Sequence, residues 1–359
     1  MLKDPPRSPT LDFLIGIVGL WLAAGFLWDS WAHLHVGIET FFTPYHDVFY
    51  CAMLAGSSIM GIAARRNYAL RYRGRHVLPL PYQRALLGIP IFFLGGIGDF
   101  FWHEFVGVEN RIEAVTSPTH LIIGFGVVTV LSGPIRSALA APARLRSLRD
   151  QLPLIFALAA CSEFVHLGMS YAFDPSAARA YAPPNGFIYS ADYFTATAIV
   201  LYKTGTGVMI VILESIALMG FAVWMASRFA LAPGAMTLFI LLADGMIATA
   251  LGIGTPLLAI HLAMALVAGI VADVLIGRTR PAQSMNALRT FGMVVPVAYF
   301  GTYFALTIAL QGTWWNWNLV LGTLVWSALA GGALTFLVGE RPSPSLRSVS
   351  LADCEALLE

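Results

Sequence analysis

Long, uninterrupted apolar runs recur along the whole chain, and they leave few folds open to it. A run of about 20 apolar residues is long enough to cross the hydrocarbon core of a bilayer as a helix. Of the 359 residues, 58% are hydrophobic and only 11% are charged, against roughly 25% charged residues in soluble domains. The sequence therefore predicts an all-α, polytopic integral membrane helix bundle. It excludes a soluble enzyme, a disordered tail and a secreted disulfide scaffold.

Ten such runs define the predicted transmembrane helices. They cover residues 11–33, 46–64, 85–105, 119–140, 152–173, 204–227, 234–253, 256–277, 290–311 and 318–339. We interpret residues 1–359 as a single transmembrane domain, in which two hairpins occupy 11–140, six further helices occupy 152–339 and a cytoplasmic tail occupies 340–359. The first run is too long for a cleavable signal peptide, so we expect it to remain as an anchor.

The basic residues predict how these helices are oriented. With both termini in the cytoplasm, 18 of the 21 Lys and Arg residues lie on inner segments, as the positive-inside rule requires. We therefore expect a multi-pass protein of the cytoplasmic (inner) membrane, with the lipid bilayer as a partner. The formal net charge of +1 argues against binding nucleic acid. The three cysteines lack the paired spacing that is typical of thiolate metal sites.

One sequence motif occurs twice in the first 120 residues. Each copy reads D-x3-H-x3-G-[IV]-E and ends, after a short linker, in [ST]-P-x-H. The first copy contains Asp29, His33, Glu39, Thr43, Pro44 and His46, and the second contains Asp99, His103, Glu109, Ser117, Pro118 and His120. In the predicted topology the motif histidines all lie at the outer face, together with His35, His166 and His261.

The spacing within the motif predicts a metal site. An Asp and a His four residues apart lie on one face of a helix, and Ser or Thr followed by Pro is typical of a helix start. Each hairpin can therefore offer one carboxylate and two imidazoles to one point, with Glu39 or Glu109 orienting a ligand histidine. This donor set leaves positions open on a metal and fits copper, non-haem iron or zinc. A purely structural repeat and a proton path are the alternatives.

The motif resembles the metal-binding pattern of the C subunit of copper membrane monooxygenases, the particulate methane and ammonia monooxygenase family. Its two residue sets correspond to Asp29, His33 and His46 and to Asp99, His103 and His120, the second with Asp where the family has Asn. The resemblance covers residues 29–120, and it implies copper, other membrane subunits and O2-dependent oxidation of a small apolar molecule. The sequence has no nucleotide, haem or flavin motif, so electrons would come from a partner or a quinone.

Weaker signals lie in the second half of the chain. A third, incomplete copy begins at Asp244 and continues to Thr255-Pro256, without a histidine four residues after the Asp. His261, about one helical turn into the next predicted helix, is a candidate to replace it. Glu163 and His166 lie three residues apart on the fifth run, where they can pair on one helix face. We interpret them as supplementary ligands, a proton relay or a buried hydrogen-bonded pair.

Two classes of function follow from these patterns. The first is an integral-membrane metalloenzyme, a copper-dependent or non-haem iron oxidase or monooxygenase that acts on a small apolar substrate at the outer leaflet. The second is a transporter or metal-handling channel whose pathway continues inward along Asp244, Glu214 and Asp273. An accessory subunit with a structural site is a third hypothesis. The sequence identifies neither a substrate nor a catalytic residue.

Overall fold

The computed structural model describes residues 4–36, 41–107, 117–168, 193–252, 256–313 and 315–338. Within these ranges the chain forms α-helices joined by turns and short 3-10 segments, and it contains no strand. The all-α class that the sequence predicts is therefore confirmed. The tail at 340–359 lies outside the described residues.

The described ranges contain eleven α-helices. They are α1 (Pro9–His35), α2 (Pro44–Ala69), α3 (Leu80–Ala85), α4 (Gly88–Phe105), α5 (Pro118–Ala140), α6 (Leu148–Gly168), α7 (Tyr193–Arg228), α8 (Ala235–Gly252), α9 (Pro256–Thr279), α10 (Met285–Gln311) and α11 (Trp317–Leu337).

Eight helical segments of the described chain are long and apolar enough to cross a membrane. They correspond to α1, α2, α3 together with α4, α5, α7, α9, α10 and α11. The chain is thus a multi-pass membrane protein. The other two predicted spans, 152–173 and 234–253, fall on α6 and α8. The total of ten spans and the cytoplasmic position of both termini stay predictions.

The returning helices of both motif hairpins begin as the sequence predicts. The Thr43 hydroxyl accepts a hydrogen bond from the amide of His46 at 3.4 Å, and Ser117 does the same for His120 at 3.3 Å. In each case Pro occupies the first helical position, where its missing N–H costs no hydrogen bond. Because the capped amide belongs to the last histidine of the motif, the cap also fixes where that histidine lies.

Helix α6 joins the two apolar cores of the bundle. Its residues Ala157 and Ala160 pack with the core built mainly from α1, α2 and α5. Ile155 and Leu158 pack with the core built mainly from α7 to α11. Residues two apart on a helix point about 200° apart, so opposite faces of α6 serve the two halves.

Helices α4 and α5 approach each other at backbone contact. A β-carbon on Gly126 of α5 would lie 2.6 Å from the backbone nitrogen of Phe92 and 2.9 Å from the carbonyl oxygen of Gly88. These distances leave no room for any side chain, which is why small residues occur where membrane helices pack closely. The contact sets the spacing of the two helices that carry the second motif copy.

A buried polar cluster connects α1, α3 and α5 at the end opposite to the motif. The Asp12 carboxylate accepts hydrogen bonds from the Tyr82 hydroxyl at 2.8 Å and from the Ser137 hydroxyl at 2.6 Å. The Arg7 guanidinium lies 3.6 Å from the same carboxylate. Because this buried acid has several polar partners on neighbouring elements, we interpret it as a structural link between the helices.

Candidate metal centre

The two motif copies converge on one point. Ligand atoms of His46, from the first copy, and of Asp99 and His103, from the second, all lie within 4.8 Å of one another. All three side chains are buried. The hairpins therefore contribute to a shared cluster of donor atoms, which we call the motif cluster: Asp29, His46, Asp99, His103 and His120.

Asp99 lies at the middle of the motif cluster and is fully buried. One of its oxygens, Oδ1, accepts a hydrogen bond from the Thr119 hydroxyl at 2.8 Å and lies 3.1 Å from Nε2 of His120. Its other oxygen, Oδ2, lies 3.6 Å from Nε2 of His103. Since His103 follows Asp99 by four residues on α4, the predicted sharing of a helix face is confirmed for the second copy of the motif.

Asp29 repeats part of this arrangement in the first copy. Its Oδ1 lies 3.5 Å from Nε2 of His46, and both side chains are buried. In both hairpins, then, the Asp of the outgoing helix lies beside the last His of the returning helix. The duplication that is visible in the sequence is also a duplication of contacts.

The protonation of His46 follows from its backbone partner. Nδ1 of His46 lies 2.6 Å from the carbonyl oxygen of Phe41, and a carbonyl oxygen can only accept. Nδ1 therefore carries the hydrogen, and in the neutral ring the lone pair is on Nε2, the nitrogen that faces Asp29. A hydrogen bond from the far nitrogen to a backbone carbonyl is how proteins orient metal-binding histidines.

Aromatic rings enclose the motif cluster. The Phe41 ring stacks on the His46 ring with centroids 5.1 Å apart and lies 6.0 Å from the His103 ring. The Phe26 ring meets the His120 ring edge-on at 6.3 Å. These rings exclude water and lower the local dielectric, so the charges inside the cluster interact more strongly than they would in water.

Three residues of the predicted site cannot be placed. Glu39 and Glu109 lie outside the described residues, and so does the side chain of His33, whose backbone is part of α1. His35 ends α1 in an exposed position, where its ring stacks on Trp31 at 4.8 Å.

The three supplementary candidates do not join the motif cluster within the described structure. Nδ1 of His166 donates to the carbonyl oxygen of Ser162 at 2.9 Å, and a hydrogen bond between His166 and Glu163 does not form among the described residues. His261 lies with Asp244, at 3.0 Å from Nδ1 to Oδ1. Both histidines lie within electrostatic range of Asp244 on α8.

Sequence reasoning missed two members of the site. Thr119 occupies the variable position of [ST]-P-x-H, and the first copy has Tyr45 there, so the repeat gave no signal for it. Phe41 acts through its carbonyl oxygen, a group that every residue has. Only the three-dimensional contacts identify either of them.

The donor geometry is compatible with a metal ion. Two donors that bind one ion at about 2.0–2.2 Å lie at most about 4.4 Å apart. The ligand atoms of His46, Asp99 and His103 lie within 4.8 Å of one another, so small side-chain rotations would bring all three to bonding distance. The same Asp–His contacts would also occur in a purely structural hairpin device, and the two interpretations differ in whether the site retains metal.

Comparison with known proteins identifies no similar protein. No protein family, no curated protein and no solved structure matches this chain. The chemistry of the motif cluster is therefore argued from its own residues.

Proposed function

We propose that this protein is an integral-membrane copper protein that oxidises a small apolar molecule at the outer leaflet, with non-haem iron as the second choice of metal. The observation that carries the proposal is the convergence of His46, Asp99 and His103, from two hairpins, on one buried point. Imidazole donors suit both copper and iron, and two imidazoles with one carboxylate also occur in non-haem iron sites. Zinc accepts the same donors but would give the site no redox chemistry.

The charges of the motif cluster favour a bound cation. Asp29 and Asp99 are both buried, and an ionised carboxylate inside a membrane protein is costly unless a positive charge compensates it. Three imidazoles surround them, and a neutral imidazole compensates no charge. A divalent ion at the shared point would neutralise both carboxylates and use the imidazoles as ligands.

The surroundings of the motif cluster favour oxidation of an apolar substrate. Phe26 and Phe41 line the imidazoles, and this environment admits apolar molecules more readily than charged ones. When bound, copper would supply the one-electron chemistry that activates O2 toward a C–H bond. The chain itself would hold the donors, fix the tautomer of His46 through Phe41 and exclude bulk water. Electrons would come from a quinone or from another membrane subunit.

Asp273, one of the three acidic residues in the transporter hypothesis, has a structural role. The Asp273 carboxylate accepts hydrogen bonds from the amides of Met236 and Thr237 at 3.2 and 3.1 Å, and from the Thr237 hydroxyl at 2.6 Å. Asp273 thus caps the start of α8, a role that satisfies its charge. An inward metal pathway would therefore have to run without Asp273 as a ligand.

Metal analysis tests the proposal. Purified protein in lipid nanodiscs is expected to retain copper after dialysis and to show nitrogen hyperfine coupling in its Cu(II) electron paramagnetic resonance spectrum. Asp99→Asn removes the central carboxylate and is expected to lose that copper, whereas Asp150→Asn, an exposed acid of α6, should retain it. Equal copper in Asp99→Asn and wild type would refute the assignment.

Two activity measurements then separate the functions. Copper-loaded protein with a reduced quinone is expected to consume O2 when a short alkane or alkene is supplied, and Asp99→Asn is not. Proteoliposomes that hold an internal copper indicator report transport. Copper uptake without substrate-dependent O2 consumption would favour the channel over the enzyme.

The Thr119 hydroxyl provides a finer test of the same centre. Thr119→Val keeps the shape of the side chain but removes the hydrogen bond to Asp99, and groups that orient a ligand in this way contribute about 10-fold to 100-fold in metal affinity. We expect copper affinity, measured by competition with a chelator, to fall by that factor. The matched control is Thr129→Val on the same helix, because the exposed Thr129 hydroxyl bonds only to the Phe125 carbonyl in the described structure. Equal losses in both variants would contradict the role of Thr119.

A further inference from the structure

The hairpin formed by α8 and α9 repeats the Asp–His contact of the motif. It lacks the second histidine that each motif copy carries four residues after its Asp. Oδ1 of Asp244 lies 3.0 Å from Nδ1 of His261, as Asp29 lies beside His46 and Asp99 beside His120. His261 follows the helix-starting Pro256 by five residues, whereas the other two histidines follow their prolines by two. The third pair is therefore about one helical turn further from the start of its returning helix.

A third side chain completes this pair. The Tyr299 hydroxyl of α10, itself buried, donates a hydrogen bond to Oδ1 of Asp244. Oδ2 of the same carboxylate is buried, and it has no hydrogen-bond partner among the described residues. One oxygen of the Asp244 carboxylate is thus hydrogen-bonded, and the other is buried without such a partner in the described structure.

Glu163 of α6 is the second buried acid of this region. Its side chain is 2% exposed, and neither carboxylate oxygen has a hydrogen-bond partner in the part of the chain that the structure describes. Helix α6 packs against α8, and Glu163 and Asp244 are close enough to repel one another when both are charged. Two carboxylates with unsatisfied oxygens therefore share one stretch of the helix interface.

The other titratable groups that face this pair add little positive charge. Glu214 of α7 is a third acid within electrostatic range of Asp244 and His261. His166 of α6 is within range of Asp244, and its Nδ1 is bonded to its own helix. We name Asp244, His261, Tyr299, Glu163, Glu214 and His166 the inner acidic cluster. With every acid ionised and the imidazoles neutral, it would carry a large negative charge in a membrane interior.

Such a negative charge needs compensation by a bound cation, and the geometry of the cluster favours a proton over a metal ion. A buried, unpaired carboxylate costs several kcal/mol or takes up a proton instead. A metal ion would require at least three donor atoms drawn together. Among the described residues only the motif cluster brings three such atoms within 4.8 Å of one another. A proton needs a single oxygen.

We propose that the inner acidic cluster is a proton-binding site, in which Glu163 holds an exchangeable proton next to the Asp244–His261–Tyr299 group. Protonation removes the charge of Glu163, whose oxygens have no hydrogen-bond partner among the described residues, while Asp244 keeps its contacts with His261 and Tyr299. The site is separate from the motif cluster. The ring of Phe164, the residue that follows Glu163, contacts the Phe26 ring with centroids 5.2 Å apart, and Phe26 in turn contacts His120 of the motif cluster.

Infrared spectroscopy of the full chain in nanodiscs tests this proposal. A protonated carboxyl group absorbs separately from a carboxylate, and its band shifts in D2O. Wild-type protein at neutral pH is expected to show this band, and Glu163→Gln, which is isosteric with the protonated acid, is expected to lose it. The matched control is Asp273→Asn, which should leave the band unchanged, because the Asp273 carboxylate accepts three hydrogen bonds at the start of α8.

Two outcomes would overturn the proposal. A neutral-pH spectrum without a protonated-carboxyl band would mean that no acid of the cluster holds a proton, and a band unchanged in Glu163→Gln would place the proton on another acid. Asp244→Asn provides a second variant should Glu163→Gln fold poorly. It removes the neighbouring negative charge and is expected to shift the band without abolishing it. Copper content should be the same in Glu163→Gln and wild type, so this result and that of the motif cluster are independent.

Discussion

Replacing either His46 or His103 by alanine is expected to remove the same metal ion. The two residues belong to different copies of the motif, yet their ligand atoms lie in one group with Asp99. Loss of either imidazole should lower copper affinity by on the order of 100-fold or more, because even groups that only orient a ligand contribute about 10-fold to 100-fold. Elemental analysis after dialysis should therefore give nearly metal-free protein for both variants.

The comparison between the two variants distinguishes a shared centre from two separate ones. Two independent sites would leave each variant with half of the wild-type copper, and a structural hairpin device would leave both unchanged. His35→Ala is the matched control, since His35 is exposed at the end of α1 and stacked on Trp31. It should retain the full copper content. Circular dichroism and gel filtration of each variant show whether the bundle is intact.

Gly126→Ala is expected to damage the fold and the centre together. The added methyl group would lie 2.6 Å from the Phe92 nitrogen and 2.9 Å from the Gly88 carbonyl oxygen, and neither backbone atom can rotate away. Forcing an extra carbon into a close-packed contact costs about 1–3 kcal/mol. The structure can avoid the clash only by moving α4 from α5, which separates Asp99 and His103 from His120. We expect a lower thermal unfolding temperature and weaker copper binding.

A second glycine on the same helix provides the control. A β-carbon on Gly124 would meet no atom within 4 Å in the described structure, and in a helix Ala is favoured over Gly by about 1 kcal/mol. Gly124→Ala should therefore unfold at the same or a higher temperature and should bind copper as the wild type does. If Gly126→Ala matched Gly124→Ala in both measurements, α4 and α5 would have to be further apart than described.

Local geometry explains which parts of the site could be predicted from the sequence. The spacing of Asp99 and His103 specifies a shared helix face, because an α-helix repeats every 3.6 residues. The Thr43 and Ser117 caps follow from the orphan amides at every helix start. These rules act within a single helix or turn, so the sequence contains all the information that they need.

The contacts between elements could not be predicted in the same way. Nothing in the spacing indicates that His46 of the first hairpin reaches the Asp99–His103 pair of the second, since that depends on how the helices pack. The close contact at Gly126 is also a tertiary feature, because a glycine in a transmembrane helix is typical of close packing but does not identify the partner helix. The position of Glu163 beside Asp244 depends in turn on α6 lying against α8.

Phe41 would couple access to the proposed metal centre with the binding of the ion. The carbonyl oxygen of this residue fixes the His46 tautomer while its ring covers the same imidazole. A water-borne reactant that displaced Phe41 would also break the Nδ1 hydrogen bond and weaken the ligand behind it. A molecule that arrives laterally from the lipid, between helices, would leave Phe41 and its hydrogen bond to His46 in place. The chain would thus discriminate among reactants by their route of approach. A hydrophilic reactant that enters from the water would weaken the binding of the ion, whereas an apolar reactant that enters from the lipid would not.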